Sequence, residues 1–162
     1  AWCALKVLSK VYGFGDPDGF VFNMSVGYDL DGIKGRKVNT YINNMMDAGK
    51  TAQFKECKKV LTELFPKEKD FIASISPNVS RSVTLSTLHG CPPQEIERIA
   101  SYLLKEKHLH TFVKCNPTIL GYKTARSILD SMGYDYIVFD EHHFNEDLQW
   151  VDAVPMLSLI HI

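Results

Sequence analysis

A strand–helix–strand pattern between residues 82 and 121 limits the fold more than any other feature of the sequence. Residues 83–87 alternate apolar and hydroxylated side chains, which is typical of a half-buried strand. The turn HGCPP at 89–93 follows, and it leads into a helix whose apolar residues recur at helical spacing. A second strand at 111–115 also ends in polar residues. Candidate site residues therefore gather at the carboxyl ends of strands, where α/β proteins place their sites.

Further elements are predicted on both sides of this unit. Residues 1–12 are expected to form a helix that buries Leu5, Leu8 and Tyr12 on one face. A strand at 20–26 should direct Asn23 and Ser25 to the same side. The remaining predictions are helices at 34–47, 54–65 and 122–132, a fourth strand at 136–139, and a last helix that starts near Glu146 or Asp147 and ends before Pro155.

Strands that each lead into a covering helix are typical of repeating βα units in a parallel sheet. About four parallel strands cannot close a barrel, so the sequence predicts either a small open sheet or part of a larger (β/α) TIM-type barrel. A helix that begins at residue 1 without a start signal favours a barrel truncated at both ends. The last residues, LSLIHI, match the translation of a sequencing-library adaptor. We therefore expect residues 157–162 to be a non-native tail, with an ordinary apolar helix end as the alternative.

Composition excludes several classes of partner. A net charge of -1 and a pI near 6.7 provide no general attraction for nucleic acid. The sequence contains neither a long apolar run suited to a membrane span nor a signal-peptide pattern, which predicts a cytoplasmic protein. The four cysteines are widely spaced without a CxxC pair, so reduced thiols are expected rather than a zinc or iron–sulfur motif.

Four longer segments carry a resemblance to a known family: FNMSVGYDLDGI, SVTLSTLHGCPPQEIERIASYLL, FVKCNPTILGY and YDYIVFDEHHFNEDLQWVDAVPM. Across residues 1–156 the chain resembles the N-terminal barrel of the large selenate-reductase-type subunits. That barrel is similar to the FMN domain of dihydropyrimidine and dihydroorotate dehydrogenases. The resemblance implies a flavin-dependent oxidoreductase that binds FMN here. It also implies FAD, iron–sulfur clusters and NAD(P)H-linked redox domains elsewhere in the parent chain, with an unknown small substrate or electron acceptor.

The resemblance assigns roles to individual residues. Lys114 matches the lysine that faces the flavin N1 and O2 atoms in those dehydrogenases, where a cation stabilises charge on reduced flavin. The segment 84–87, TLST, replaces an Asn-Leu-Ser-Cys or Asn-Leu-Ser-Ser motif and lacks both its amide and its thiol. Cys91 could take over as the acid, because a helix start lowers a thiol pKa. Cys91 and Lys114 are the candidate catalytic residues, and Asn23, Ser25, Thr84, Ser86, Lys114, Asn116 and His142 are the candidate cofactor-binding residues.

Each role has a simpler alternative, and two other functions compete with the flavin enzyme. Lys114 could be a surface lysine, Cys91 a buried helix-cap thiol and Asn116 a turn residue before proline. The altered 84–87 segment is compatible with a non-catalytic barrel scaffold in a redox complex. A metal-dependent lyase or hydrolase would gather Asp140, His142 and His89.

Overall fold

A computed structural model, which describes residues 1–86 and 91–160, shows an α/β arrangement around a three-stranded parallel sheet. The strands follow one another in the order β1-β2-β3 and comprise β1 (Asn23–Val26), β2 (Ser82–Ser86) and β3 (His110–Lys114). The α-helices are α1 (Trp2–Tyr12), α2 (Leu30–Lys34), α3 (Arg36–Met46), α4 (Ala52–Leu64), α5 (Lys69–Ser74), α6 (Pro93–Ser101), α7 (Tyr122–Ser131), α8 (Glu141–Glu146) and α9 (Trp150–Ile160). In this part of the chain no helix is long and apolar enough to cross a membrane.

The chain divides into two units, the first comprising residues 1–24 and 35–82 and the second comprising residues 25–34 and 83–162. In the first unit, α1, α4 and α5 pack around a core of Cys3, Val7, Leu61, Ile72 and Ile75. The predicted helix at 54–65 corresponds closely to α4. The sequence analysis missed α5, which follows a 3₁₀ turn at Pro66–Glu68.

The buried face of α1 is not the predicted one. Leu5 and Tyr12 are 42% and 59% exposed, whereas Cys3, Lys6 and Val7 are buried. Lys6 is stabilised there because its ammonium donates to the backbone carbonyl of Pro17 at 3.0 Å and pairs with Asp18. The same ammonium lies 4.3 Å from the centroid of the Trp2 ring, a cation–π contact. Apolar periodicity located the helix correctly, but it could not identify a lysine as its buried residue.

In the second unit, the predicted apolar face of α6 is buried, and the helix packs against α9 and α2. Its residues Ile96, Ile99 and Ala100 are almost completely buried. The helix continues into a π-helical turn at Tyr102–Glu106, which buries Leu103. α7 also lies where it was predicted, and Gly133 follows it with a left-handed φ of 81°.

The predicted fourth strand is wrong: residues 136–139 form no strand in the described structure. The Arg126 guanidinium donates to the backbone carbonyls of Tyr134 and Ile137, at 2.8 and 2.5 Å. A side chain therefore occupies carbonyls that a strand would offer to a neighbour. Val138 is 94% exposed, so this apolar segment is not packed into a sheet although its composition is typical of a strand.

Two other boundaries also differ from prediction. The first strand begins at Asn23 rather than at residue 20, because Phe20 and Phe22 pack their rings around Trp2 instead. The last helix begins at Trp150 and contains Pro155, which was expected to lie beyond its end. Proline lacks an N–H group, so α9 gives up one internal hydrogen bond at this position.

Removing the Lys6 side chain should destabilise the first unit. We expect Lys6→Ala to lower the free energy of unfolding by about 2 kcal/mol, because a buried charged hydrogen bond and a cation–π contact are lost. Urea denaturation followed by circular dichroism measures this. Lys10→Ala is the matched control: Lys10 contacts Glu68 and Phe71 on a half-exposed surface, and its loss should cost under about 1 kcal/mol. Equal costs for both variants would contradict the assigned role of Lys6.

The buried face of α6 provides a second stability test. Ile99→Ala should cost about 3 kcal/mol in urea denaturation, because the side chain is 1% exposed and its removal leaves a cavity. Ile128→Ala on α7 makes the same change at a residue that is 44% exposed, and should cost less than about 1 kcal/mol. A smaller effect at Ile99 than at Ile128 would show that the packing side of α6 is misassigned.

Candidate functional site

Two serine hydroxyl groups meet at the carboxyl ends of β1 and β2. The Oγ atoms of Ser25 and Ser86 lie 3.2 Å apart, within hydrogen-bonding distance. Their position follows from strand alternation, because Val26, Val83 and Leu85 are buried on the other side. Thr84 has the same parity as Ser86 and is half-buried. The predicted shared orientation of Asn23 and Ser25 is confirmed, although Asn23 belongs to the first unit.

Lys114 is the last residue of β3 and has an exposed side chain. Phe112, two residues earlier, has the same strand parity and is 57% exposed, which is unusual for a phenylalanine. In a parallel sheet the carboxyl ends of neighbouring strands meet at one edge. Ser25, Ser86 and Lys114 therefore mark the same edge of the sheet.

A small cavity lies beside this edge, within the second unit. Its volume is about 10 Å³, which is the space of roughly one water molecule. The residues that line it are Cys91, Ile96, Cys115, Asn116, Thr118, Ile119, Asp147 and Leu148. The structure thus brings together two of the predicted site residues, Cys91 and Asn116, and adds polar groups that were not predicted.

The electrostatic environment of Cys91 is the reverse of the one expected. Burial raises the pKa of the Cys91 thiol, and the carboxylates of Glu95 and Asp29 raise it further. Glu95 is held in place because its two carboxylate oxygens accept from the backbone N–H of Leu30 and from Arg98, each at 2.9 Å. Cys91 precedes Pro92, the N-cap of α6, so it lies outside the first turn, where a helix dipole acts most strongly. The prediction of a lowered pKa is therefore wrong.

Asp147 is a cavity residue that the sequence analysis did not recognise. It is 8% exposed, and its Oδ2 atom accepts a hydrogen bond from the Thr118 hydroxyl at 2.8 Å. The sequence analysis treated Asp147 only as a possible helix start. A usable signal was Thr118, a hydroxyl residue just after the polar end of β3.

Asn116 and His142 have different environments. Asn116 is extended before Pro117, and its carbonyl accepts from the N–H of Ile119 at 3.0 Å. Asn116 therefore forms the turn before proline, and it also lines the cavity. His142 lies on α8 with a side chain that is 69% exposed, and its Nε2 atom is 3.0 Å from Glu146.

Asp140 is the N-cap of α8, so His142 and His143 lie on a helix and not at the end of a fourth strand. Its carboxylate accepts the backbone N–H of His142 at 2.8 Å, and both histidines then lie on the helix. Helix formation here follows from this side-chain cap, which the sequence reasoning did not use. His89, the third residue of the metal hypothesis, lies outside the described residues. Among residues 1–86 and 91–160, no three His, Cys, Asp or Glu side chains are grouped to hold a metal ion.

Comparison with known proteins gives a consistent assignment. A family profile described as "Oxidoreductase YgfK, N-terminal TIM-barrel domain" matches residues 1–161. Two curated proteins named "Putative oxidoreductase YgfK", from Escherichia coli (strain K12) and Escherichia coli O157:H7, are each 42% identical over 174 aligned residues. The alignment covers 98% of this chain and 17% of each relative. No solved structure matches.

The family match explains the incomplete sheet, since three parallel strands with covering helices are part of a barrel rather than a whole one. The chain spans about a sixth of the length of the curated relatives it matches. On the evidence of its strands, its helices and the profile match, the chain belongs to the family of YgfK-type oxidoreductase N-terminal TIM-barrel domains.

Proposed function

We propose that this chain forms part of the FMN-binding barrel of an oxidoreductase, with the flavin lying against the carboxyl ends of β1, β2 and β3. The observation that carries the proposal is the position of Lys114 and of the paired Ser25 and Ser86 hydroxyls at the carboxyl ends of parallel strands. TIM-barrel enzymes bind their substrates and cofactors at this edge.

The groups at the sheet edge fit the chemistry of a flavin. Ser25, Ser86 and Thr84 offer hydroxyl groups to ring carbonyl and nitrogen atoms, while Lys114 offers a cation to the N1 and O2 side. The enclosed cavity beside Cys91 has room for only about one water molecule, so a flavin would lie on the open polar side of the strands. When bound, FMN would supply hydride or electron transfer.

Cys91 would serve this site as a proton donor. Its raised pKa keeps the thiol protonated at neutral pH, which makes a proton available but makes the thiol a weaker acid than a free cysteine. Asn116 and Asp147 line the same cavity and would position a water molecule or a substrate group near the thiol. The cofactor-binding roles of Asn23 and His142 stay predictions; the His142 side chain is exposed beside Glu146.

The resemblance extends the proposal to the whole protein. Electrons would reach the barrel from NAD(P)H-linked domains that carry FAD and iron–sulfur clusters elsewhere in a cytoplasmic parent chain. The acceptor is a small molecule of unassigned identity, and selenate reduction is one activity to test. A second candidate is a barrel that has lost its flavin and serves as a scaffold for these domains, because residues 84–87 lack the amide and the thiol of the dehydrogenase motif.

The Lys114 role is testable by flavin content. In the complete protein that contains this chain, Lys114→Ala should reduce the FMN released by denaturation by about tenfold, since a charged contact to the flavin contributes 1.5–3 kcal/mol. FMN is separated from FAD by liquid chromatography, so a flavin bound elsewhere does not obscure the result.

The matched control is Lys123→Ala, which removes the same charge from an exposed position on α7. FMN content should be unchanged in this variant. Absence of FMN from the unmodified protein would favour the scaffold, and equal losses in both lysine variants would show that Lys114 has no specific role.

The raised pKa of Cys91 predicts a particular pH dependence of its alkylation. Only the thiolate reacts with iodoacetamide, so the rate at Cys91 should still be rising at pH values where free glutathione has levelled off. Replacing a neighbouring charge, in Glu95→Gln, should shift the Cys91 profile toward lower pH. Mass spectrometry of the Cys91 peptide measures the rate at this residue alone. A profile that levels off below that of glutathione would contradict the assigned environment.

A further inference from the structure

Cys3 and Cys57 bring two thiols together inside the first unit, away from the candidate flavin site. Cys3 lies on α1 and is 2% exposed. Cys57 lies on α4 and packs against the core cluster that contains Cys3. Both thiols are free in the structure. The two cysteines thus belong to one packed cluster between the contacting helices α1 and α4, although 53 residues separate them in the sequence.

The two cysteines differ in their access to solvent. Cys57 is half-buried and lines an open depression on the surface of α4, together with Gln53, Glu56 and Val60. Cys3 lies behind it in the core. A small oxidant can thus reach Cys57 from the depression, whereas Cys3 is accessible mainly through its partner.

The pKa of Cys3 is consistent with a neighbouring Cys57. Burial raises the pKa of Cys3 to about 11, and the charge of Cys57 and a hydrogen bond with its thiol add to the rise. The ammonium group of Lys58 acts in the opposite direction. It is held near the pair because it donates to the carbonyls of Ala73 and Ile75 at 2.8 and 2.9 Å. The net effect keeps the Cys3 thiol protonated at neutral pH, so the accessible thiol of Cys57 is the one that meets an oxidant first.

We propose that Cys3 and Cys57 form a redox-modification site, at which a peroxide converts the dithiol to a disulfide that cross-links α1 to α4. The Cys57 sulfur takes one oxygen atom from hydrogen peroxide, giving a sulfenic acid and one water molecule. The Cys3 sulfur then attacks the Cys57 sulfur, the S–O bond breaks, and hydroxide leaves with the Cys3 proton as a second water molecule. Both thiols are oxidised, and both oxygen atoms of the peroxide are reduced to water.

The cross-link would change the stability of the first unit without involving the sheet edge. A disulfide between these positions closes a long loop that contains β1, α2 and α3, so the unfolded chain loses conformational freedom. The oxidised chain should therefore unfold at a higher temperature than the reduced chain. A thiol reductant should reverse the change.

Peptide mapping under non-reducing conditions tests the site directly. The Cys91→Ser/Cys115→Ser chain, which retains only Cys3 and Cys57, is treated with hydrogen peroxide, and remaining thiols are alkylated. We expect titratable thiols to fall from two to none, with a Cys3–Cys57 linked peptide that dithiothreitol separates. The melting temperature should rise on oxidation and return on reduction. The proposal is overturned if Cys3 stays alkylatable, if Cys57 proceeds to sulfinic acid without linkage, or if the disulfide joins two chains.

Single replacements separate the role of Cys57, which the peroxide oxidises, from the role of Cys3, which forms the disulfide. Cys57→Ser should abolish both the linkage and the rise in melting temperature. Cys3→Ala should stop the reaction at the sulfenic acid, which dimedone then labels at Cys57 more strongly than in the unmodified chain. Because Cys3 is buried and its replacement could unfold the first unit, Cys57→Ser is the decisive variant. A linkage or a melting shift that persists in Cys57→Ser would exclude the proposed pair.

Discussion

The alternation of side chains along the strands is the constraint on which the rest of the second unit depends. Val83 and Leu85 are buried against the helix-covered side of the sheet, and Val26 is buried on β1. Because successive strand residues point in opposite directions, Ser25, Ser86 and Lys114 cannot also face the helices. Core packing thereby selects which polar groups are available for binding. A shift of one residue in any of these strands would bury the serines and expose the core.

The same constraint explains which parts of the structure the sequence could predict. The strand at 83–87, the helix carrying Ile96 and Ile99, and the edge position of Lys114 all depend on local periodicity, and all were located to within a residue or two. Lys6 shows where periodicity is insufficient. Its burial depends on Pro17, Asp18 and the Trp2 ring, contacts that no local pattern contains.

Other sequence predictions failed because side chains competed for the backbone. Arg126 donates hydrogen bonds to backbone carbonyls in the segment that was predicted as a fourth strand. Asp140, directly after this segment, caps a helix. For Cys91, proximity to a helix start suggested a lowered pKa. Burial and the carboxylates of Glu95 and Asp29 raise the pKa instead. The position of the cavity residue was thus predictable, whereas its protonation depended on tertiary neighbours.

The cysteines of the two units lie in different environments. Cys91 lies in the second unit, where burial and acidic neighbours raise the pKa of its thiol. Cys3 and Cys57 lie in the first unit, where burial and the neighbouring thiol raise the pKa of Cys3 while Cys57 borders an open depression. The proposed flavin site depends on the strands of the parallel sheet, whereas the proposed disulfide site depends on contacts between α1 and α4. Loss of flavin would therefore leave the dithiol chemistry intact, and loss of the dithiol would leave the Cys91 environment unchanged.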